Sequence, residues 1–336
     1  MECDGFIDLQ VNGFAGVDFN SPAASHREIA RAILAIFSTG VTRFLPTVIT
    51  GAPESMLAAL KNLAAAQSSL AEGKAMAGFH IEGPHIAPED APRGAHPKQW
   101  VRPPDYEEFL RWQDACEGNV RMVTLAPEWP GAVAYIERIT RAGAVAAIGH
   151  THATPVQIHD AVLAGATLST HLGNGAGSAT RSEHFILRQL SERRLSASLI
   201  VDHHHLPDEF LRRAIAAKTV EHIVLVTDAV APAMCAPGPY ELGGVAVEMH
   251  ADGRVTLLGG TRLAGSGLRM NQAIANVVAR AGVSLQDALR MATANPARVG
   301  NIKRPAADRV HFDFVGGRVE IRETYFSGQR VYSQSH

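Results

Sequence analysis

Short apolar runs rich in valine, isoleucine, leucine and phenylalanine alternate along the chain with longer amphipathic segments. Such a run, bounded by polar or glycine-rich turns, reads as a strand buried on both faces. Its regular alternation with helical periodicity reads as repeated βα units on a parallel sheet. The strand candidates are 6–11, 43–49, 75–81, 120–126, 144–150, 167–172, 196–202 and 222–229. Helix candidates lie near 25–39, 53–68, 105–115, 131–142, 155–164, 183–194 and 207–217, and an eighth at 270–281 follows a glycine-rich excursion. Pro53, Pro155 and Pro207 each fall at an expected first helical turn, where the missing N–H costs nothing. Eight strands, each followed by a helix, predict an α/β fold, a (β/α)8 barrel of the TIM type, over residues 1–300. Val245, Val247 and Met249 alternate before an Ala-Asp-Gly-Arg turn and predict a β-hairpin insertion at about 236–262. Residues 301–336 carry short alternating runs around Gly316-Gly317 and Gly328, and predict a C-terminal β appendage on the barrel.

Composition narrows the partners. Lysine plus arginine number 31 against 33 aspartate plus glutamate, a formal net charge of -2, so no basic excess recruits nucleic acid or an anionic membrane. No stretch approaches the roughly 18 consecutive apolar residues of a membrane span. The first ten residues lack the basic start and apolar run of a secretory signal, so the protein is expected in the cytoplasm. Cys3, Cys116 and Cys235 are isolated and suggest neither a disulfide framework nor a zinc knuckle. The unusual count is 16 histidines, the side chain that most often binds metals and that titrates near neutrality.

In barrel enzymes the chemistry sits at the C-terminal ends of the strands. Here those ends carry Gln10 and Asn12, His80 and Glu82, His150, His171, the run His203-His204-His205, and Asp228. Ionisable groups converging on one rim are costly unless a metal or substrate uses them. Glu82, His150 and His171 offer two imidazoles and a carboxylate, a ligand set that leaves a position open for a catalytic water. Asp228 closes an apolar strand and is placed to act as general base and then general acid. The proline-rich loop 83–104, with Arg93, His96 and Lys98, can fold over the mouth. The turn Asn174-Gly175-Ala176-Gly177, leading toward Arg181, is suited to an anion such as phosphate. Of the three consecutive histidines, alternation lets at most two point at one site.

These residues, in this order, resemble the N-acetylglucosamine-6-phosphate deacetylases of the amidohydrolase superfamily. The likeness rests on Gly5-Phe6-Ile7-Asp8-Leu9-Gln10-Val11-Asn12-Gly13, His80-Ile81-Glu82-Gly83-Pro84, Gly149-His150, Thr170-His171-Leu172, Val226-Thr227-Asp228-Ala229, Leu263-Ala264-Gly265-Ser266 and Ala292-Thr293-Ala294-Asn295-Pro296. Gln10-x-Asn12 stands where many amidohydrolases carry His-x-His, which favours one metal over two. The resemblance implies Glu82, His150 and His171 as ligands of one divalent ion, with zinc expected and Fe2+ or another divalent ion compatible. It implies Asp228 as the catalytic acid/base, and Ala95, His96, Asn174, Gly175, Arg181, His205, Leu263, Ala264 and Gly265 as substrate contacts. Arg181 and His205 would hold the phosphate, and His96 would help polarise the acetamide carbonyl. A homodimer is implied as well. Three departures matter. Only four residues precede Gly5, so the family's small β-sandwich is expected to be reduced. Gly173-Asn174-Gly175-Ala176-Gly177 replaces the usual Asn-Ala-Met, which bears on phosphate specificity, and His152 and His203 stand where the family has other residues. Deacetylation of N-acetylglucosamine 6-phosphate is the leading expectation. The alternatives are removal of an acyl group from another N-acyl substrate and a catalytically inactive sugar-binding barrel.

Overall fold

All six residues of the first barrel strand, Phe6–Val11, are buried, as a parallel strand covered by helices requires. Two of them, Asp8 and Gln10, are polar and must find partners inside. Asp8 finds two across the barrel seam and one on its own strand: its carboxylate accepts from Thr227 Oγ1 (2.6 Å) and Thr227 N (3.3 Å), and from Gln10 N (3.2 Å). The structure, a computed structural model, describes residues 1–174 and 184–334. Strands one to eight are Phe6–Val11, Val41–Ile49, Phe79–Glu82, Val120–Leu125, Val145–Ile148, Leu168–Ser169, Ser196–Leu199 and Ile223–Leu225. They pair in parallel and in chain order. The seam between eight and one is closed by a parallel bridge from Val11 to Ala229, with Asp228 N donating to Gln10 O (3.0 Å) and Asn12 N to Ala229 O (2.7 Å).

The eight predicted strands and eight helices are thus present, with differences that have local causes. Strand three begins at Phe79 rather than 75 because Gly73–Ala75 forms a 3-10 turn. Strands five, six and eight stop short of their predicted ends because His150, His171 and Asp228 turn into left-handed backbone. Capping sets the helix starts. Ser25 with Glu28 and Thr154 with Gln157 form capping boxes, each side chain satisfying the other residue's backbone N–H. Pro53 and Pro155 occupy first-turn positions, whereas Pro207 stands one place earlier, as the cap of helix Asp208–Lys218. The final helices, Leu285–Ala292 and Ala294–Val299, brace the barrel floor: Asn295 Nδ2 donates to the carbonyls of Val220 and Ile223, both at 2.7 Å.

Two antiparallel sheets are attached. The insertion after strand eight has three strands rather than a two-stranded hairpin: Gly238–Leu242, Val245–Met249 and Val255–Leu257. Its inner face, with Leu242, Val247, Met249 and Val255, packs on Ile49, Val230 and Ala264 and so anchors it beside the mouth. The tail supplies Arg309–Val315, Arg318–Phe326 and Gln329–Ser333, and Glu2–Asp4 from the N-terminus pairs with the first of these to complete a four-stranded sheet. That contribution from residues 2–4 is not apparent in their composition. The sheet is sutured to the barrel by Thr324 Oγ1 donating to Phe37 O (2.7 Å), by the Phe37–Phe326 ring contact (5.3 Å), and by the ion pair of Arg43 Nε with Asp308 Oδ2 (2.8 Å).

Asp308 is buried and also accepts from Ser327 N at 2.7 Å. Removing one member of a buried pair strands the other charge, at a cost on the order of 3 kcal/mol. Asp308→Ala is therefore expected to lower the free energy of unfolding by that amount, read as a lower urea midpoint with an unchanged slope by circular dichroism.

Candidate metal centre and active site

The ends of strands three, five, six and eight place Glu82, His150, His171 and Asp228 around one cleft of about 390 Å3. Three of these, His150 (φ 49°), His171 (φ 28°) and Asp228 (φ 51°), have left-handed backbones that residues with a Cβ rarely adopt. Such strain persists only where the surroundings over-determine it, and it clusters at functional sites. The fixing bonds are visible. Ser198 Oγ accepts from His171 N (2.7 Å), and His150 O accepts from Ala87 N (2.9 Å). Ser266 N donates to Asp228 O (2.9 Å) and Ser266 Oγ to Thr227 O (2.6 Å). The Leu263-Ala264-Gly265-Ser266 motif thus both lines the cleft and pins the end of strand eight.

Glu82 is the hub. Its Oε1 accepts from Gln10 Nε2 (2.8 Å) and lies 2.7 Å from His171 Nε2 and 3.2 Å from His150 Nε2. Burial alone would raise its pKa, but the adjoining imidazoles of His150 and His171 outweigh burial and hold the carboxyl well below its ordinary range. The tautomer of His150 tests the fit to a metal. His150 Nδ1 lies 2.8 Å from the Pro92 carbonyl, which can only accept, so Nδ1 carries the hydrogen. Neutral His150 then turns the Nε2 lone pair toward a carboxylate oxygen. Two acceptors 3.2 Å apart require a cation, a proton or a metal ion, between them. Nδ1–H bound to a carbonyl is also the usual outer support of a metal-ligating histidine. One atom each from Glu82, His150 and His171 lies within 4.8 Å of the others, so this donor set fits a divalent ion.

Asp228 stands across the cleft from Glu82, and Gln10 spans the two. Its amide nitrogen donates one hydrogen to Glu82 Oε1 and the other to Asp228 Oδ1 (3.1 Å), which also accepts from Asn12 Nδ2 (2.6 Å). Burial, and then the charge of Glu82, raises Asp228 to about 6. His96, from the loop after strand three, lies with Nε2 3.9 Å from Glu82 Oε2. Burial, and then His150, lowers it to about 3, so it is neutral. Beneath the site His80, Thr124 and Thr170 form a buried hydrogen-bonded row (2.8 and 2.7 Å).

Ala95, His96, Asn174, His205, Leu263, Ala264 and Gly265 all line the same cleft. Gly175 and Arg181 lie outside the described residues. His203 and His204 face a different cavity, beside the tail sheet, so of the three consecutive histidines His205 alone lines the site. His85 is buried behind the rim against Trp112 and Tyr135, and His152 is exposed near Glu89 and Glu128. Sequence reasoning passed over several residues. Asp202 holds His205 Nδ1 at 2.7 Å and accepts from the backbone N–H of His204 and His205 (both 2.9 Å). Burial raises Asp202, but His205 outweighs it and brings the carboxyl down to about 2. An Asp three residues before a histidine at a strand end was the available signal. Arg262, on the insertion, reaches the cleft mouth and donates to Gly94 O (3.0 Å), and Pro92 and Thr50 meet His150 and His96; nothing in their local sequence marks them.

The sequence pattern of the amidohydrolase family matches residues 4–306. The chain belongs to this family. Within it, the chain is 33% identical over 299 residues to the N-acetylglucosamine-6-phosphate deacetylase of Bacillus subtilis (strain 168), covering 88% of this chain and 74% of that one. It is 33% identical over 347 residues to the human protein of that name, covering 98% and 82%. The N-acetylgalactosamine-6-phosphate deacetylase of Escherichia coli O157:H7 is also 33% identical, over 88% of this chain and 77% of that one. Among solved structures, N-acetyl-D-glucosamine-6-phosphate deacetylase from Mycobacterium smegmatis, in a variant complexed with N-acetyl-D-glucosamine-6-phosphate, superposes with a TM-score of 0.89 at 32% identity. That match covers 99% of this chain and 87% of the other. The family is the one that the strand-end motifs resemble, and these relatives are deacetylases, hydrolases of an amide bond.

After chelation and dialysis, one equivalent of divalent metal per chain is expected to return, measured by mass spectrometry of the metal content. Glu82→Gln, His150→Ala and His171→Ala should each weaken that binding by at least about tenfold, the scale of perturbing even the outer supports of a metal site. Retention of a full equivalent in all three would remove the metal from this cleft.

Proposed function

We propose that the protein deacetylates N-acetylglucosamine 6-phosphate, releasing acetate and glucosamine 6-phosphate. The observation that carries this reading is the placement of Glu82, His150, His171 and Asp228 around one cleft in a chain matched over 88% and 98% of its length by relatives that bear that activity in their names. A divalent ion held by Glu82, His150 and His171 would polarise the acetamide carbonyl and acidify a water. The chain's own residues supply the rest. Asp228 is fixed through Oδ1 by Asn12 and Gln10, and Oδ2 has no donor among the described residues. Asp228 therefore takes the proton of the attacking water and returns it to the departing amine, whose bond to the acyl carbon breaks as the proton arrives. A pKa raised toward neutrality suits both halves of that task. His96 Nε2 donates to the carbonyl oxygen as negative charge builds there.

Ala95, Asn174, Gly175, Leu263, Ala264 and Gly265 shape the sugar pocket in this reading, and His205 and Arg181 hold the phosphate. Asp202, 2.7 Å from His205 Nδ1, keeps that ring oriented toward the cleft. The family resemblance adds zinc as the ion, a homodimer and a cytoplasmic setting. The equal identity to a relative named for N-acetylgalactosamine 6-phosphate supports a second reading, the C4 epimer as substrate.

Asp228→Asn is expected to keep its metal and to lose about a hundred- to ten-thousand-fold in kcat, the span of general acid–base catalysis. Acetate release and metal content are measured on the same preparation, and full turnover there would sink the assignment. In a separate comparison, kcat/KM should fall at least about a hundredfold from N-acetylglucosamine 6-phosphate to N-acetylglucosamine, because a buried charged contact is lost. Faster turnover of the galactosamine epimer would favour the second reading.

A further inference from the structure

His96 and His150 stand edge to face in the cleft, their ring centroids 4.3 Å apart, and their Nδ1 atoms meet opposite kinds of partner. His150 Nδ1 faces the Pro92 carbonyl, which makes it the donor and leaves Nε2 with a lone pair. His96 Nδ1 lies 2.8 Å from Thr50 Oγ1. Thr50 is fully buried, and a buried hydroxyl that donates to nothing costs about 1–3 kcal/mol. Among the described residues its hydrogen-bond partner is His96 Nδ1. The hydroxyl therefore donates to Nδ1, and the single ring hydrogen of a neutral His96 sits on Nε2. Room for that hydroxyl comes from the motif glycine beside Glu82. A Cβ on Gly83 would fall 2.2 Å from Thr50 Oγ1, and its φ of +79° suits glycine.

We propose that Thr50, at the end of strand two, is a positioning residue for the reaction. Its hydroxyl fixes His96 as the Nε2–H tautomer, the form able to donate to the scissile carbonyl oxygen, while Pro92 fixes the opposite, lone-pair form at His150. The inference rests on the assignment of His96 to the carbonyl given above. Thr50 itself touches no substrate in this scheme; its influence passes through one ring nitrogen. The division explains how two neighbouring histidines in one cavity take different tasks, one toward a cation and one toward a developing oxyanion.

The test reads the tautomer first. In the Zn2+-loaded protein labelled with 15N-histidine, with His96 assigned by comparison with His96→Gln, Nε2 should show the shift and attached hydrogen of a pyrrole-type nitrogen. Nδ1 should show the shift of a pyridine-type nitrogen. Thr50→Val should abolish that pattern and lower kcat by about 10- to 100-fold with KM changed less than about threefold, since a misplaced tautomer removes a transition-state contact. Thr50→Ser should restore kcat to within about threefold. In the His96→Gln background, Thr50→Val should lower kcat no further. A hydrogen on Nδ1 of His96 in the parent protein overturns the proposal, and that spectrum decides even where the valine variant does not fold. A loss that persists undiminished in the His96→Gln background overturns it too. Full activity of His96→Gln would instead overturn the role of His96 itself, a result distinct from a wrong tautomer.

Discussion

The mouth of this barrel is organised around one buried carboxylate oxygen, Glu82 Oε1. Ionised carboxylates are costly to bury unless opposite charge and hydrogen bonds surround them. Here an amide hydrogen from Gln10 and two imidazole nitrogens converge on a single atom, so the carboxyl stays ionised although it is 3% exposed. Once Pro92 dictates the tautomer of His150, the arrangement is incomplete without a positive charge between the rings and the carboxylate. The same demand places a second carboxylate, Asp228, close enough to feel the first. Gln10 keeps them apart by giving each one hydrogen of the same amide group.

That convergence needs side chains aimed inward from strand ends, and straight extended backbone does not aim them all. His150, His171 and Asp228 each sit in left-handed conformations at the point where a strand gives way to its loop. A non-glycine residue there costs on the order of 1 kcal/mol or more, so neighbouring bonds must hold it. Ser198 holds His171, the segment after Glu82 holds His150, and Ser266 holds Asp228. Each bond comes from a different strand or loop. The site is therefore stabilised by the closed barrel as a whole and not by any one βα unit.

This explains what the sequence shows and what it hides. Eight apolar runs and the intervening helical periodicity are local patterns, and the residues just past each run, Glu82, His150, His171 and Asp228, are legible because barrel architecture assigns strand ends to one rim. Asp202 was within reach, three residues before His205. Thr50 and Pro92 were not, because the property that matters is which lone pair or hydrogen each presents to a histidine 46 or 58 residues away. The early stops of strands five, six and eight were hidden for a related reason. Propensity sees Thr170-His171-Leu172 as continuing an apolar run, while the cluster pulls His171 out of the sheet. The pairing of Glu2–Asp4 with the tail is likewise a contact between chain ends, 305 residues apart in the Asp4–Arg309 ion pair that anchors it.

Closure of the barrel and assembly of the site are one event. Strand one meets strand eight through the backbone, with Asp228 N donating to Gln10 O, and through Asp8 accepting from Thr227. The side chains of the same two segments complete the cleft, as Gln10 and Asn12 fix Asp228 Oδ1 and Gln10 reaches on to Glu82. A chain with strands one and eight unpaired would leave Asp228 unanchored and Glu82 short of a donor, two buried carboxylates without compensation. The polar residues that make strand one look unsuited to a barrel interior are thus what ties its first strand to its last. The free energy that closes the ring also sets the distance between the two carboxylates.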